Sequence, residues 1–368
     1  NAYVEWGAAP WREPSVTEVG RLPMRSPFSS HSGIEDERAA RTVERRSTPW
    51  EKSLDGEWRF LGIDRPEDAP DGWEQESFSD ASWRGVAVPG CFTMQGHSTP
   101  IYTNIEMPFS NLPPDVPDAN PTGLYRREFS VPRAWRSRRV VIEFGAAESL
   151  LMLWIDGNAV GLGKDSRLSS SFDITDLVRR PGKHLVAAMV VRYSDASFVE
   201  DQDQWWQAGI HRSVRIYSTP RVHISDLHAT ASLADDLTTG TLQLKVSVDF
   251  PDEERAEKWS VEAHVETLHV ETLEGKRVNR EPLHAQIPTT PIPYLYQGSF
   301  VTFSTALAGV KAWSAEQPNR YRVVVQLKDP SGVVREVVSE IIGFRRVEVG
   351  NRELLINGKP VLIRGVNR

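Results

Sequence analysis

Short apolar runs separated by turn-forming residues dominate most of the chain. Residues 139–144 and 150–155 are apolar runs of strand length, and Asp156-Gly157 after the second run fits a tight hairpin turn. Many short strands joined by glycine and proline turns are typical of two-layer β-structures. The pattern therefore predicts an all-β sandwich or jelly roll over residues 50–218.

The strand pattern starts again after Ser218-Thr219-Pro220. Apolar residues then recur at every second position along several runs, for example at Leu242, Leu244, Val246 and Val248. This spacing places one face of each strand in a core. Residues 219–345 therefore fit a seven-strand immunoglobulin-like sandwich, one that lacks the usual cysteine pair.

The two ends of the chain follow other patterns. Residues 1–49 are rich in proline, arginine and glutamate, show little periodicity and are predicted to form an extended arm on a protein surface. Near the other end, Asn357-Gly358 fits a hairpin turn, and the run after it is fully apolar. Because such strands are buried on both faces in parallel sheets, we predict that residues 346–368 begin a third domain that continues outside this chain.

Composition narrows the class of protein. The formal net charge is −7 with no basic stripe, which argues against nucleic acid as a partner. No apolar run reaches the roughly 18 residues of a transmembrane helix, so we expect no membrane partner. The single cysteine, Cys91, fits a reducing compartment, and we expect a cytoplasmic location. The 12 tryptophans fit either a carbohydrate-handling module or the core of a β-sandwich.

The candidate chemistry is concentrated in residues 198–206, Phe-Val-Glu-Asp-Gln-Asp-Gln-Trp-Trp. Carboxylates in this stretch can accept hydrogen bonds from sugar hydroxyls, and a tryptophan ring can cover the apolar face of a pyranose. Hard cations prefer the same oxygen ligands. The alternative is a solvated turn whose tryptophans enter a core.

Several motifs, taken in their order along the chain, resemble one known family. They are Leu54-Asp-Gly-Glu-Trp-Arg-Phe60, Pro100-Ile-Tyr-Thr-Asn104, Asn120-Pro-Thr-Gly123, Gly163-Lys-Asp-Ser-Arg167, Glu200-Asp-Gln-Asp203, Ala312-Trp-Ser-Ala-Glu-Gln-Pro-Asn-Arg-Tyr321 and Leu362-Ile-Arg-Gly-Val-Asn-Arg368. The set closely resembles the N-terminal third of the large bacterial β-galactosidases of glycoside hydrolase family 2. The resemblance implies a jelly-roll, galactose-binding-like sandwich, an immunoglobulin-like sandwich and the first strands of a truncated (β/α)8 barrel.

The resemblance also implies site residues. Asn104, in the proline-rich loop between residues 88 and 122, matches the family's substrate-contacting asparagine. Asp203 matches the aspartate that contacts the sugar and helps to hold a sodium ion. Both assignments suit the groups, because an amide donates to and accepts from hydroxyls and a carboxylate suits hydroxyl and Na⁺ alike. A turn-forming Asn104 and a surface Asp203 are the alternatives, and Asp201 is a weaker candidate that would otherwise shape the loop.

By the same resemblance, the intact protein hydrolyses terminal β-D-galactosides such as lactose with retention, uses Na⁺ and Mg²⁺, and forms a homo-oligomer, a tetramer or larger. Both catalytic glutamates and the magnesium ligands would lie in the barrel beyond residue 368, so this chain holds no catalytic residue and is expected to be inactive alone. Asp201 and Asp203 would face one side if they lay in a strand, but we reject them as the catalytic pair because no apolar pocket that would raise the pKa of an acid is evident beside them. Lys164 departs from the family's neutral amide beside a peripheral magnesium ion, and that site is not carried over.

Two other classes of function stay open at this point. One is a pair of non-catalytic carbohydrate-binding modules, which the uncovered apolar run near Ile363 disfavours. The other is a sister family 2 enzyme, a β-glucuronidase or β-mannosidase, which would share the sandwiches but not the pairing of residues 100–104 with residues 200–203. We interpret His97 as a solvated loop histidine and Cys91 as a small buried or loop residue, not as a nucleophile.

Overall fold

The computed structural model describes residues 6–7, 9–41, 48–180, 182–251, 256–268, 275–279, 281–288, 299–350 and 352–366. Strands dominate these residues, and the single α-helix found among them is α1 (Ile34–Ala39). The all-β prediction is therefore confirmed. None of the described helices combines the length and the apolar character that crossing a membrane requires.

The chain divides into two compact units. Unit 1 comprises Asn1–Met24 and Glu51–Ser218, and unit 2 comprises Arg25–Trp50 and Thr219–Arg368. The segment predicted to be a separate extended arm is thus shared between the units, and it contributes a strand to one and the helix α1 to the other. Its weak periodicity hid these contributions, because each is only a few residues long.

Unit 1 is built from strands in two main sheets. Its described strands are β1 (Glu18–Val19), β2 (Glu51–Ser53), β3 (Gly56–Ile63), β4 (Arg84–Val88), β5 (Gly90–Cys91), β6 (Ile101–Thr103), β7 (Thr122–Ser130), β8 (Arg139–Phe144), β9 (Leu150–Ile155), β10 (Asn158–Lys164), β11 (Ser170–Asp173), β12 (Lys183–Val191), β13 (Gln204–Trp206), β14 (Gly209–Ile210) and β15 (Val214–Thr219). The larger sheet has the order β1-β10-β9-β12-β7-β3-β4 and the smaller one β11-β8-β15-β2. Two short ribbons, β13-β6 and β14-β5, lie outside these sheets. Single 3-10 turns occur at Pro10–Arg12, Pro66–Asp68, Phe92–Gln95, Arg133–Trp135 and Asp195–Phe198.

The predicted hairpin between β9 and β10 is confirmed. Asp156 and Gly157 have φ angles of 49° and 78°, as a two-residue turn with both central residues in the left-handed region requires. The Asp156 carboxylate also accepts a 2.7 Å hydrogen bond from the backbone N–H of Leu185. The turn therefore fixes the register of the neighbouring strands.

Most tryptophans of unit 1 serve its core. One buried cluster contains Trp11, Trp73, Trp83, Trp154 and Trp206 together with Leu150, Met152 and Met189. Ring centroids of Trp154 lie 5.0 Å from Trp6 and 5.3 Å from Trp73. Trp205 differs, because 56% of its surface is exposed. The tryptophan-rich composition is thus mainly a packing feature, and Trp205 is free to meet a ligand.

Within the described residues, unit 2 has ten strands, of which the first seven form the predicted sandwich of two sheets. Its strands are β16 (His223–Leu233), β17 (Thr239–Asp249), β18 (Ser260–Leu268), β19 (Leu283–Gln286), β20 (Ser299–Ala308), β21 (Arg320–Lys328), β22 (Val334–Ile342), β23 (Val347–Gly350), β24 (Glu353–Ile356) and β25 (Lys359–Pro360). The sheets have the orders β16-β17-β20 and β19-β18-β21-β22, and β23-β24-β25 form a further small sheet. The alternation predicted along β17 is confirmed, because Leu242, Leu244, Val246 and Val248 are all buried in the core.

Residues 25–41 are an integral part of unit 2. Phe28 belongs to its core cluster, and His31 exchanges two backbone hydrogen bonds of 2.9 Å with Val337. Glu336, which is fully buried, accepts hydrogen bonds of 2.5 Å from the Ser30 hydroxyl and from the backbone N–H of Ile224. A polar anchor therefore joins this segment to two strands of the sandwich.

A second buried polar cluster surrounds Glu37 on α1. The Glu37 carboxylate is bound by Arg41 Nε at 2.9 Å, Ser339 Oγ at 2.7 Å and Arg322 Nη1 at 3.4 Å. Arg41 also donates to the carboxylate of Glu266 on β18 at 2.9 Å. Only 2% of Glu37 is exposed, so these charges lie away from solvent. Each buried charge therefore needs its ion-pair partners to offset the cost of desolvation.

Glu266 should make unit 2 sensitive to acid. A hydrogen bond from His264, with the charge of Arg41, lowers the pKa of Glu266 to about 2, below the value of about 4.3 expected in an unfolded chain. The unfolded state therefore binds the proton first, so this contribution is complete above about pH 5 and is lost as the pH falls toward 2. We expect urea midpoints measured between pH 5 and 2 to fall less steeply in Glu266→Gln than in wild type.

A comparison of variants separates the contribution of Glu266 to the acid sensitivity from the contributions of other carboxylates. Asp236 and Asp329 also have pKa values lowered to about 2, so some acid sensitivity should remain in every variant. Glu262→Gln, on the same strand but paired with Lys328 at 2.6 Å, is the matched control for the loss of one carboxylate from this strand, and the steepness should change more in Glu266→Gln than in this control. Equal steepness in Glu266→Gln and wild type would contradict the prediction.

The predicted hairpin near the end of the chain forms, but its second strand is shorter than predicted. Asn357 and Gly358 take φ angles of 53° and 74° between β24 and β25. Strand pairing ends at Pro360, and Leu362 and Ile363 are 76% and 75% exposed without regular structure. Asn367 and Arg368 lie outside the described residues. An apolar strand of this kind needs neighbours on both sides, so the start of a barrel stays a prediction.

Candidate functional site

The ribbon of β6 and β13 brings the two predicted site residues together. The strands are antiparallel, and Gln204 pairs with Thr103. Asp203 directly precedes this pair and Asn104 directly follows it, so both residues lie at the same end of the ribbon. Both are exposed to solvent. A contact between distant parts of the chain thus gathers an amide and a carboxylate at one surface.

Two aromatic side chains lie beside this end of the ribbon. Tyr102 and Trp205 are register partners, their ring centroids are 5.7 Å apart, and they are 50% and 56% exposed. The Tyr102 hydroxyl donates a 2.5 Å hydrogen bond to Oδ1 of Asp203. An exposed ring next to polar acceptors is the combination that suits a pyranose, which has an apolar C–H face and a rim of hydroxyls.

The remaining acidic residues of the stretch have different surroundings. Glu200 accepts hydrogen bonds from the backbone N–H and the hydroxyl of Ser166 at 2.8 and 2.5 Å, so Glu200 fastens the loop. Asp201, predicted to shape the loop, makes no side-chain hydrogen bond within the described part of the chain and is half-buried. Asp201 and Asp203 both precede β13, which begins at Gln204, so neither lies in that strand.

A small polar pocket lies behind Trp205. Asp201 lines it, whereas Asn104 and Asp203 at the ribbon end do not. Its wall includes the ion pair of Arg167 and Glu148, whose atoms Nη1 and Oε2 are 2.7 Å apart. Burial raises the pKa of Glu148, and the pair with Arg167 opposes that shift. The pocket is therefore a polar cavity that adjoins the candidate site and shares Trp205 with it.

Arg192 supports the ribbon from inside. It is 3% exposed, and it donates hydrogen bonds to the Ser98 hydroxyl at 2.9 Å and to the backbone carbonyl of Trp206 at 3.1 Å. Arg192 thereby ties the proline-rich loop to the acidic stretch. Neither Arg192 nor Tyr102 was singled out from the sequence, because their roles depend on contacts between segments about 100 residues apart in the chain.

Lys164 is a structural residue. Its buried ammonium group donates to Asp195 Oδ1 at 2.6 Å and to the backbone carbonyl of Glu13 at 2.8 Å. The lysine therefore supplies its own positive charge to these oxygens.

Cys91 and His97 take no part in the candidate site. Burial raises the pKa of the Cys91 thiol to about 11, which keeps it protonated at neutral pH. His97 is not the freely solvated residue that was predicted, because its ring centroid lies 4.5 Å from that of Phe60. Partial burial against this ring, followed by the charge of Arg84, lowers the pKa of His97.

The residues at the ribbon end suit a cation only in part. Asp203 offers carboxylate oxygens at the surface, the ligand type that hard cations prefer. Across the described residues, however, no three His, Cys, Asp or Glu side chains come together to hold a metal ion. Asp203 therefore offers at most one acidic ligand to a cation, and any further ligands would have to be neutral oxygens.

Comparison with known proteins shows the family. Residues 51–220 match the family model described as "Glycosyl hydrolases family 2, sugar binding domain", and residues 222–345 match the model described as "Glycosyl hydrolases family 2". The chain therefore belongs to glycoside hydrolase family 2, as its motifs predicted.

Curated relatives match nearly the whole chain. The β-galactosidase of Pseudoalteromonas haloplanktis is 35% identical over 362 residues, and that of Pectobacterium atrosepticum is 36% identical over 365 residues. Each match covers 97% of this chain and 33% of the relative. The chain thus spans about a third of the length of these relatives.

Solved structures share the fold. A β-glycosidase from Bacteroides vulgatus aligns over 86% of this chain and 36% of its own, with 21% identity and a TM-score of 0.62. A β-glucuronidase from Bacteroides uniformis aligns over 86% of this chain and 35% of its own, with 20% identity and a TM-score of 0.66. At these identities the likeness concerns architecture alone.

Proposed function

We propose that this chain is part of a retaining β-galactosidase and that it supplies part of the galactose site and one ligand of a sodium ion. The observation that carries the proposal is the exposed ribbon end, where Asn104 and Asp203 lie beside the rings of Tyr102 and Trp205. The similarity to two curated β-galactosidases over 97% of the chain supports galactose as the sugar.

Each group has a distinct part in binding. The Asn104 amide can donate to one sugar hydroxyl and accept from another, and the Asp203 carboxylate can accept from a hydroxyl. An exposed ring at Trp205 can cover apolar C–H groups. A neutral sugar suits this arrangement, whereas the carboxylate of a glucuronide would be repelled by Asp203. With the similarity to two curated β-galactosidases, this favours a β-galactosidase over a β-glucuronidase when Asp203 carries no cation.

The bond-breaking groups are assigned to the rest of the protein. Retaining glycosidases need an acid/base and a nucleophile whose carboxyl groups are about 5–5.5 Å apart. Asp203 is exposed and bound by Tyr102, whereas Asp201 lines the polar pocket, so we do not assign the two as the catalytic pair. The chain spans about a third of its curated relatives, which leaves ample room for both groups elsewhere.

Sodium would act by contact with the sugar. When bound at Asp203, it would add positive charge next to a substrate hydroxyl oxygen. We assign no magnesium ligand to this chain. The predicted homo-oligomeric assembly and cytoplasmic location stay predictions.

The intact protein should hydrolyse an aryl β-galactoside and release β-galactose first. Retention follows because a double displacement through a covalent galactosyl-enzyme inverts the anomeric carbon twice. Proton NMR recorded in the first minutes of the reaction, before mutarotation, distinguishes the anomers. Initial release of α-galactose would overturn the mechanism, and failure to hydrolyse the galactoside would overturn the activity.

Two controls sharpen this experiment. The corresponding aryl β-glucuronide should be hydrolysed far more slowly, and a preference for it would support the sister activity instead. Residues 1–368 alone, purified to homogeneity, should show no turnover. Galactosidase activity in that preparation would contradict the placement of both catalytic groups outside this chain.

A further inference from the structure

We propose that Tyr102 is a positioning residue that sets the orientation of the Asp203 carboxylate, an inference that rests on the proposed function. The contact is direct, since the Tyr102 hydroxyl lies 2.5 Å from Asp203 Oδ1. It holds one carboxylate oxygen and leaves Oδ2 for a ligand. Tyr102 thus acts on the sugar through Asp203.

The ribbon holds Tyr102 in place from a second side. Tyr102 pairs in register with Trp205, and the two rings pack at a centroid distance of 5.7 Å with their planes inclined by 43°. Strand pairing and ring packing together restrict the direction of the phenol. The hydroxyl therefore meets Asp203 from a fixed position.

A hydrogen-bond donor in a fixed position is useful because the rotamer preference of aspartate does not set the orientation of its carboxylate. The terminal torsion of an aspartate side chain is broad and roughly two-fold, so rotamer preference leaves the plane of the carboxylate undefined. Asp203 is exposed, and packing does not define the plane either. One short hydrogen bond to Oδ1 supplies the missing restraint.

The exposure of Tyr102 argues against a purely structural role. Half of its surface is open to solvent, and a phenol–carboxylate contact at a surface adds little to stability. The hydroxyl instead meets Asp203, which lies at the exposed ribbon end.

A double-mutant cycle in the full-length protein tests the inference. Tyr102→Phe retains the ring and removes only the hydroxyl, and we expect kcat/KM for an aryl β-galactoside to fall roughly 10-fold, with an unchanged melting temperature. In an Asp203→Asn background the same substitution should change kcat/KM by less than about 2-fold, because its target is already altered. Effects that multiply would show that Tyr102 acts independently and would overturn the inference.

The contact itself has a separate readout. Crystal structures of wild type and Tyr102→Phe should show one orientation of the Asp203 carboxylate in wild type and a different or mixed orientation in the variant. An unchanged, single orientation in Tyr102→Phe would refute the positioning role. Wild-type protein without β-galactosidase activity would refute the proposed function and, with it, the role of Tyr102 in that function. An active wild type with multiplying effects would refute the positioning role alone.

Discussion

Replacement of Glu37 by glutamine should destabilise unit 2 by about 3–5 kcal/mol, the typical cost of removing one partner from a buried ion pair. Glutamine keeps the size of the side chain but loses the charge that faces Arg41 and Arg322. Both guanidinium groups are largely buried, with exposed side-chain fractions of 8% and 10%. Their positive charges would then face each other with less compensation.

Urea unfolding measures this effect. With a slope of about 1–3 kcal/mol/M, the midpoint for unit 2 should fall by more than about 1 M. Glu35→Gln is the matched control, because Glu35 lies on the same helix, pairs with Arg38 and has 87% of its side chain exposed. Its midpoint should stay near that of wild type. Equal midpoints for the two variants would show that the buried cluster does not hold the helix.

The parts of the fold that are determined by residues close together in the sequence could be predicted from the sequence. The hairpin at Asp156-Gly157 follows from two residues that tolerate positive φ, between two apolar runs. Alternation predicted the buried face of β17 because the period of a strand is two. Both signals are contained in fewer than a dozen consecutive residues.

Burial could not be predicted from composition. Trp11 is 1% exposed and Trp205 is 56% exposed, and nothing in their residue type separates them. Glu35 and Glu37 show the same limit, since they are two residues apart on one short helix and only Glu37 faces the sandwich. In each case, the burial of the side chain depends on which other parts of the fold pack against it.

The candidate site shows how far a family motif reaches. The motifs named Asn104 and Asp203, and the ribbon brings both to one end. They did not name Tyr102, although it lies two residues before Asn104, because its partner is 101 residues away in the chain. They also gave Asp201 as a weaker site candidate that would otherwise shape the loop, and it is Glu200 that fastens the loop, through Ser166.

In the full-length protein, Asp203→Asn should lower kcat/KM for β-galactosides by roughly 10- to 100-fold. Hydrogen bonds to charged groups contribute about 1.5–3 kcal/mol, which corresponds to a loss of that size. An amide is a weaker acceptor for a sugar hydroxyl, and it offers no negative charge to Na⁺. Part of the loss should therefore appear as a weaker response of the rate to sodium concentration.

Asp201→Asn is the matched control for this loss. It makes the same chemical change two residues away, but the Asp201 carboxylate lies at the polar pocket behind Trp205 and makes no side-chain hydrogen bond within the described residues. Substitutions outside buried networks usually change stability by less than about 0.5 kcal/mol, so Asp201→Asn should keep its fold. Because the Asp201 carboxylate is not at the ribbon end, kcat/KM of this variant should stay within about 3-fold of wild type. Parallel kinetics with and without sodium separate the two positions.

If Asp203→Asn retained wild-type kcat/KM and an unchanged sodium response, Asp203 would contact neither the sugar nor the ion, and the ribbon end would not be a galactose site. If Asp201→Asn showed the larger loss of kcat/KM, the polar pocket would replace the ribbon end as the candidate galactose site.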